Sequence, residues 1–178
     1  IVHSEESPTR AGGALHAAQL WIALPDEHID IAPAFAHHPQ LPQAGVGGWR
    51  ATVLVGEAFG QRAPARVHTP MVGINLAAAT AARGELVLDA SFEHGFVCLE
   101  GRGARVTIDD ESLEPGTLLY AAPGRERVRL RCDKRACVLV VGGQPFESPR
   151  ILWWNFVART HDEVAAAAAD WLGGTGRF

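Results

Sequence analysis

A histidine and a glutamate stand two positions apart near the start of the chain, within Ile1-Val2-His3-Ser4-Glu5-Glu6. In an extended segment the side chains of His3 and Glu5 project to the same face, whereas Glu6 projects to the opposite one. An imidazole and a carboxylate on one face can supply half of the ligands of a first-row metal, with positions left for water or substrate. On their spacing, His3 and Glu5 are candidate metal ligands. The spacing alone is also compatible with a polar chain end in solvent.

The middle of the chain carries a second candidate pattern. Residues 86–130 resemble the cupin pattern, because residues 93–101 look like the strand and turn that close its first motif. The turns at Pro115-Gly116 and Pro123-Gly124 resemble those of its second motif. A metal-binding cupin places a His-x-His pair on one strand, a glutamate shortly after it and a further histidine after the second turn, so that the ligands converge inside the barrel.

Most of these ligands are missing from the central pattern. Only Glu93 matches a ligand position, and no histidine follows directly after Gly124. The positions of the His-x-His pair are taken by Val87 and Asp89, or by Leu86 and Leu88. One carboxylate cannot hold a metal ion, so we predict a cupin-like shell without a metal site. We then expect His94 on the surface or in a turn.

The elements that must position these residues are short β-segments separated by Gly, Pro and Asp. Such spacing is typical of a sandwich or small barrel and argues against a βαβ fold. We predict strands at residues 49–55, 71–77, 84–88, 95–99, 104–108, 117–121, 127–131 and 137–141. The expected fold class is all-β: a cupin-like β-sandwich or barrel of the RmlC-like jelly-roll type, with one C-terminal α-helix.

Two segments stand outside this series. Leu15 to Leu24 alternates imperfectly and is predicted as a strand, and a polar, Pro-rich loop follows from Asp26 to Gln43. Thr160 to Leu172 is alanine-rich, with Glu163 three residues after Thr160 and Gly173-Gly174 at its end. A capping box, a helix-forming body and a C-terminal stop predict a helix there.

The composition is that of a globular chain of 178 residues, 47% hydrophobic and 20% charged, with a net charge of -4. No apolar run approaches the roughly 20 residues that span a bilayer, and no signal peptide is visible at the N-terminus. Three cysteines cannot all pair, which suits a reducing cytoplasm. Between Arg125 and Arg135, arginines alternate with Val and Leu as on the solvent face of a strand, so we expect no direct nucleic-acid binding.

Four motifs occur in order from one end of the chain to the other. Ile1 to Glu5 is followed by Leu15 to Pro25 (LHAAQLWIALP), then by Gly142-Gly143-Gln144-Pro145, and finally by Trp153 to Thr160 with Glu163. They resemble, in turn, four segments of the pirin family of bicupins. These are the end of the N-terminal cupin domain, the LHGLQLWVNLP connector, a glycine-glycine-x-proline turn and the C-terminal signature.

The resemblance implies a domain organisation. Residues 1–14 would be the tail end of an N-terminal metal-binding cupin domain, and residues 15–45 a connector strand and Pro-rich loop. Residues 46–178 would be the C-terminal pirin-type cupin domain, which lacks a metal site and carries a helix at about 160–172. In this family iron, or another first-row divalent metal, would be held by a His-x-His pair together with His3 and Glu5. None of the eight histidines here forms such a pair. We therefore expect the rest of the N-terminal domain to lie outside this chain, the alternative being a short protein that has lost the site.

The resemblance leaves two functions open. In the first, the complete protein is a quercetin 2,3-dioxygenase-type oxidoreductase acting on a flavonol-like molecule, with Glu5 as both ligand and catalytic proton acceptor. This chain alone would then be inactive. In the second, it is a non-catalytic metal-binding regulator that docks transcription factors or metabolic enzymes. The loop from Asp26 to Gln43 and the pair Trp153-Trp154 would make the contacts, unless they pack between domains or in the core. We also expect self-association, or pairing with the missing N-terminal part, through an exposed apolar face.

Overall fold

The computed structural model describes residues 17–101 and 103–174 and divides the chain into two compact units. The β unit spans residues 35–145, and the terminal unit combines residues 17–34 and 146–174 of the described chain. The predicted ligands His3 and Glu5, like the whole of the range 1–14, lie outside the described residues. Their placement therefore stays a prediction.

The β unit consists of strands arranged in two sheets. In chain order they are β1 (Gln43–Val46), β2 (Trp49–Ala58), β3 (Gln61–Arg62), β4 (Met71–Ala78), β5 (Ala82–Val87), β6 (Glu93–Glu100), β7 (Val106–Ile108), β8 (Glu111–Ser112), β9 (Leu118–Ala121), β10 (Arg127–Cys132) and β11 (Ala136–Gly143). The larger sheet has the order β1-β2-β4-β11-β6-β9, with β3 paired to β2, and the smaller has the order β5-β10-β7-β8. The named pairs are antiparallel. The predicted all-β sandwich is confirmed.

Buried and exposed residues alternate strictly in β10, which belongs to the smaller sheet. In β10 the side chains of Val128 and Leu130 are buried in the core, whereas the arginines between them face solvent. The core also contains Leu86 from the smaller sheet and Leu76 and Phe96 from the larger one. Burying each such side chain contributes about 1.5–3 kcal/mol. The solvent face predicted for the arginine-rich stretch is therefore confirmed.

All eight strands predicted for this unit are present, with ends displaced by three residues at most. Three short strands were not predicted: β1, β3 and β8. Strand β1 falls within the range 15–45, which was predicted as connector strand and loop. Gly47 and Gly48 join it to β2, and Gly47 has a φ of 59°, a conformation that glycine adopts without strain. Two glycines between apolar segments are a recognised hairpin signal, so this strand could have been predicted.

The strand predicted from Leu15 to Leu24 is wrong for the part that the structure describes. Residues 17–25 form neither helix nor strand, and a single 3-10 turn follows at Asp26–His28. None of the strands in residues 17–101 and 103–174 pairs with this segment. Apolar alternation forms a strand only where a second strand supplies hydrogen-bond partners for the backbone. The side chains of Trp21 and Ile22 are accordingly about half exposed.

The terminal unit contains a hairpin and one helix. Strands β12 (Ile151–Trp153) and β13 (Phe156–Ala158) form the hairpin, and α1 (His161–Gly173) contacts both. Its two chain segments are joined by an ion pair, in which Arg150 Nη2 lies 2.8 Å from Asp26 Oδ1. The core placement considered for Trp153 and Trp154 is wrong, because they are 51% and 71% exposed. Trp153 lies at the end of β12, and Trp154 lies in the hairpin turn.

The ends of helix α1 follow the sequence signals closely. Thr160 is the N-cap, and its hydroxyl accepts a hydrogen bond from the backbone N–H of Glu163. The Glu163 carboxylate accepts one in return from the backbone N–H of Arg159, at 2.8 Å. Gly174 ends the helix in the left-handed conformation. The predicted helix is thus confirmed. Neither this helix nor any other in the described part of the chain is long and apolar enough to cross a bilayer.

We expect Thr160→Ala to destabilise the helix end by about 1 kcal/mol, because the N–H of Glu163 loses its acceptor. Thr160→Ser, which keeps the hydroxyl, is the matched control. Hydrogen exchange of the first-turn amides of α1 measures the difference. Equal protection in the two variants would show that the cap contributes nothing.

Candidate functional site

A cavity of about 390 Å³ opens at one end of the β unit. Its lining comes from the end of β2, the start of β4, the end of β5, the start of β6 and the middle of β11. Most of the wall is apolar, with Val72, Ile74, Leu88 and Val140 among the lining residues. The volume lies within the range of small-molecule sites, and such sites are typically apolar with a few placed polar groups.

His94 is the buried polar residue of this cavity. It lies near the start of β6, and its side chain is 1% exposed. Neither Nδ1 nor Nε2 has a hydrogen-bond partner within the described part of the chain. The expectation that His94 lies on the surface or in a turn is therefore wrong. A buried polar group without a partner is unusual, because burial removes its bonds to water at a cost in free energy.

The opposite strand makes room for the imidazole. Gly142 of β11 is directly paired with His94. A methyl group at Gly142 would lie 2.6 Å from Cδ2 of the ring and 3.1 Å from Nε2. Only glycine therefore leaves space for the ring at this position. The glycine-glycine-x-proline motif thus begins with a residue that the histidine requires.

The neighbouring Glu93 does not take the inward place that the cupin comparison predicted for it. Its Oε2 accepts a hydrogen bond of 3.0 Å from the hydroxyl of Tyr120, which is 59% exposed. This interaction raises the pKa of Tyr120. Adjacent residues of a strand face opposite sides, and His94 has the same parity as the core residues Phe96 and Cys98. Extending that alternation back by one step would have identified His94 as the inward residue.

A short, hydrogen-bonded turn holds the rim of the cavity beside His94. Oδ1 of Asp89 accepts bonds from the backbone N–H and the hydroxyl of Ser91, at 2.9 and 2.6 Å. These bonds lower the pKa of Asp89, so that its carboxylate is ionised at neutral pH. The backbone N–H of Phe92 bonds to the carbonyl of Asp89 at 3.0 Å. The Phe92 ring then lies 6.1 Å from that of His94, measured between centroids.

Burial lowers the pKa of His94 below its ordinary value of 6.5. The negative charge of Asp89 and the nearby carbonyl of Phe92 oppose this effect in part, although that carbonyl is not in hydrogen-bond geometry. The ring is therefore neutral at pH 7. A neutral imidazole offers one N–H donor and one lone pair.

The lowered pKa has a consequence for stability. Between the folded-state pKa of His94 and 6.5, the unfolded chain binds more protons than the folded one. The free energy of unfolding should therefore rise with pH through this window and fall as the pH drops from about 7 to about 5. Urea denaturation across that range measures the slope. His94→Phe should reduce it, and an unchanged slope would contradict the lowered pKa.

The described residues do not fit a metal ion. No group of three or more His, Cys, Asp or Glu side chains within residues 17–101 and 103–174 is placed to hold one. The cavity presents a single imidazole, and the nearest carboxylate, Asp89, already bonds to Ser91. We therefore derive no metal chemistry from this cavity. The predicted ligands His3 and Glu5 lie outside the described residues.

A sandwich of two antiparallel sheets with a cavity at one end of the core defines the chain as a protein of the cupin class. Residues 71–178 match the family model described as the pirin C-terminal cupin domain. The chain belongs to the pirin family.

Relatives in bacteria agree with this assignment. The whole chain is 43% identical to a Pseudomonas aeruginosa protein provisionally named a quercetin 2,3-dioxygenase, and covers 55% of it. A pirin-like protein of Caulobacter vibrioides is 32% identical to this chain, over 98% of this chain and 60% of the length of that protein. The crystal structure of a quercetin 2,3-dioxygenase from Acinetobacter baumannii superposes with a TM-score of 0.82 at 38% identity, over 89% of this chain and 52% of that one. The chain thus spans little more than half the length of these relatives.

Proposed function

We propose that this chain is the C-terminal part of a pirin-type, metal-dependent oxidoreductase of the quercetin 2,3-dioxygenase type. The observation that carries the proposal is the likeness to the Acinetobacter baumannii quercetin 2,3-dioxygenase, at a TM-score of 0.82 and 38% identity. The 43% identity to the Pseudomonas aeruginosa protein supports it independently. The substrate class would be a flavonol-like small molecule.

In this proposal the metal is bound outside the β unit. His3 would be a neutral imidazole ligand, and Glu5 a carboxylate ligand that also accepts the hydroxyl proton of the substrate. Bound Fe(II), or another first-row divalent metal, would supply the redox chemistry with dioxygen. The remaining ligands would come from an N-terminal cupin domain of the complete protein. The chain of 178 residues is then inactive by itself.

Oxygen consumption with quercetin, by the complete gene product loaded with ferrous iron, tests this function. We expect His3→Ala and Glu5→Gln to reduce the rate at least about 100-fold, because each removes a metal ligand. Glu6→Gln is the matched control, since Glu6 would face away from the metal, and it should keep the rate. Consumption no higher than that of metal-free protein would refute the enzymatic proposal.

The exposed tryptophans favour a second candidate, a non-catalytic metal-binding regulator. Trp154 is 71% exposed and packs edge-on against Phe156 and Trp171, with ring centroids 6.2 and 6.3 Å apart. Exposed aromatic groups of this kind are enriched at protein interfaces. This candidate would be supported by two results together. The complete protein would consume no oxygen with quercetin, and His3→Ala and Trp154→Ala would both weaken binding to a transcription factor or metabolic enzyme.

A further inference from the structure

We propose that the cavity of the β unit is a second, metal-free binding site, for a neutral and mainly apolar molecule that carries a hydroxyl group. His94 would form the hydrogen bond to that hydroxyl. This site shares no residue with the proposed metal site, because the residues that line it all belong to the β unit.

The buried imidazole of His94 supports this proposal. The side chain of His94 is 1% exposed and lines the cavity, and its two nitrogens lack hydrogen-bond partners within the described residues. Buried polar groups normally have partners, and one that lacks them at a cavity wall is suited to a ligand. The absence of a side chain at Gly142 leaves room for the ring beside β11.

The apolar walls of the cavity also support the proposal. Met71, Val72 and Val87 contribute apolar surface that is accessible from the cavity, and the ring of Phe92 stands beside His94. A cavity of about 390 Å³ with such walls accepts an aromatic or alicyclic body. Burial of that body supplies the affinity, and one hydrogen bond fixes its orientation.

The charges at the rim of the cavity indicate which ligands it would accept. At the rim Glu57 and Arg62 neutralise each other, with Oε2 and Nη2 3.0 Å apart. The Asp89 carboxylate then leaves the rim with a net negative charge, which disfavours carboxylates and phosphates. A neutral imidazole has one donor and one acceptor, and a hydroxyl can satisfy either, because it both donates and accepts. The ligand class is thus a neutral alcohol or phenol.

Three naphthalene compounds test the proposal against the complete gene product, kept metal-free with EDTA. The probes are 2-naphthol, naphthalene, which lacks the polar group, and 2-naphthoate, which is an anion. By calorimetry we expect 2-naphthol to bind about 3- to 10-fold more tightly than naphthalene, the range that one hydrogen bond supplies. 2-Naphthoate should bind most weakly. His94→Phe should abolish the preference for 2-naphthol, and His161→Phe, which removes an exposed imidazole of the terminal unit, should preserve it.

Nuclear magnetic resonance of the wild-type protein provides a readout that needs no variant. The ring signals of His94 should shift on addition of 2-naphthol and change little with 2-naphthoate. Equal affinities for 2-naphthol and naphthalene, tighter binding of 2-naphthoate, or His94 signals that do not respond would each overturn the proposal. Because the protein is metal-free, none of these results depends on the oxidoreductase activity.

Discussion

Replacing His94 with phenylalanine should raise the free energy of unfolding of the β unit by about 1–3 kcal/mol, the usual cost of a buried polar group without a partner. Phenylalanine keeps an aromatic ring at this position, although a larger one, and carries no nitrogen to desolvate. The imidazole is 1% exposed and has no hydrogen-bond partner among the described residues, so that its removal leaves no other group unpaired. Urea denaturation at about pH 7, followed by tryptophan fluorescence, measures the change.

His94→Gln is the control for this prediction, because it keeps a buried polar side chain and should give no such gain. An unchanged or lowered stability of His94→Phe would show that the imidazole is already satisfied in solution. A gain in stability combined with a loss of 2-naphthol preference would be the signature of a binding residue, since functional sites commonly retain groups that reduce stability.

Replacing Gly142 with alanine should lower the free energy of unfolding by about 1–3 kcal/mol, as overpacking of a core usually does. The new methyl group would lie 2.6 Å from Cδ2 of His94 and 2.9 Å from the backbone oxygen of Glu93. The ring can rotate, but the backbone oxygen belongs to a paired strand and cannot move alone. The variant should therefore also weaken 2-naphthol binding.

Gly45→Ala is the matched control, because Gly45 is also a strand glycine and a methyl group there would meet nothing within 4 Å. Its stability should change by no more than about 0.5 kcal/mol. If the two alanine variants were equally stable, the close approach of β11 to the imidazole would not exist in solution. Chemical denaturation of both proteins under the same conditions decides the point.

The strands of the sandwich could be predicted because the sequence pattern that specifies each strand lies within the strand itself. In β10, Val and Leu alternate with Arg in the sequence itself, and the strand buries the one set and exposes the other. The helix was predictable for the same reason, since Thr160, Glu163 and Gly174 act within a turn of their own positions. Hydrophobic pattern and capping residues are enough to predict an element whose conformation is determined by residues close in sequence.

The candidate site depends on contacts distant in sequence, and there prediction failed. His94 was expected on the surface or in a turn because the cupin pattern gave it no ligand role, and its pairing with Gly142 cannot be seen from spacing. The segment from Leu15 to Leu24 has an acceptable strand pattern but lacks a partner strand in the described chain. Core packing was one of the two placements considered for Trp153 and Trp154, whereas both side chains are exposed at the end of β12 and in the turn after it.

The interleaved order of the two units affects how the protein is made. Asp26 and Arg150, whose ion pair joins the halves of the terminal unit, are separated by 124 positions along the chain. At about 5–20 residues per second, a ribosome needs about 6–25 s to travel that distance. The intervening residues 35–145 form a continuous unit that can fold during this interval. Asp26 therefore waits for Arg150 until residues 35–145 have been made, and the two halves of the terminal unit can come together only after that.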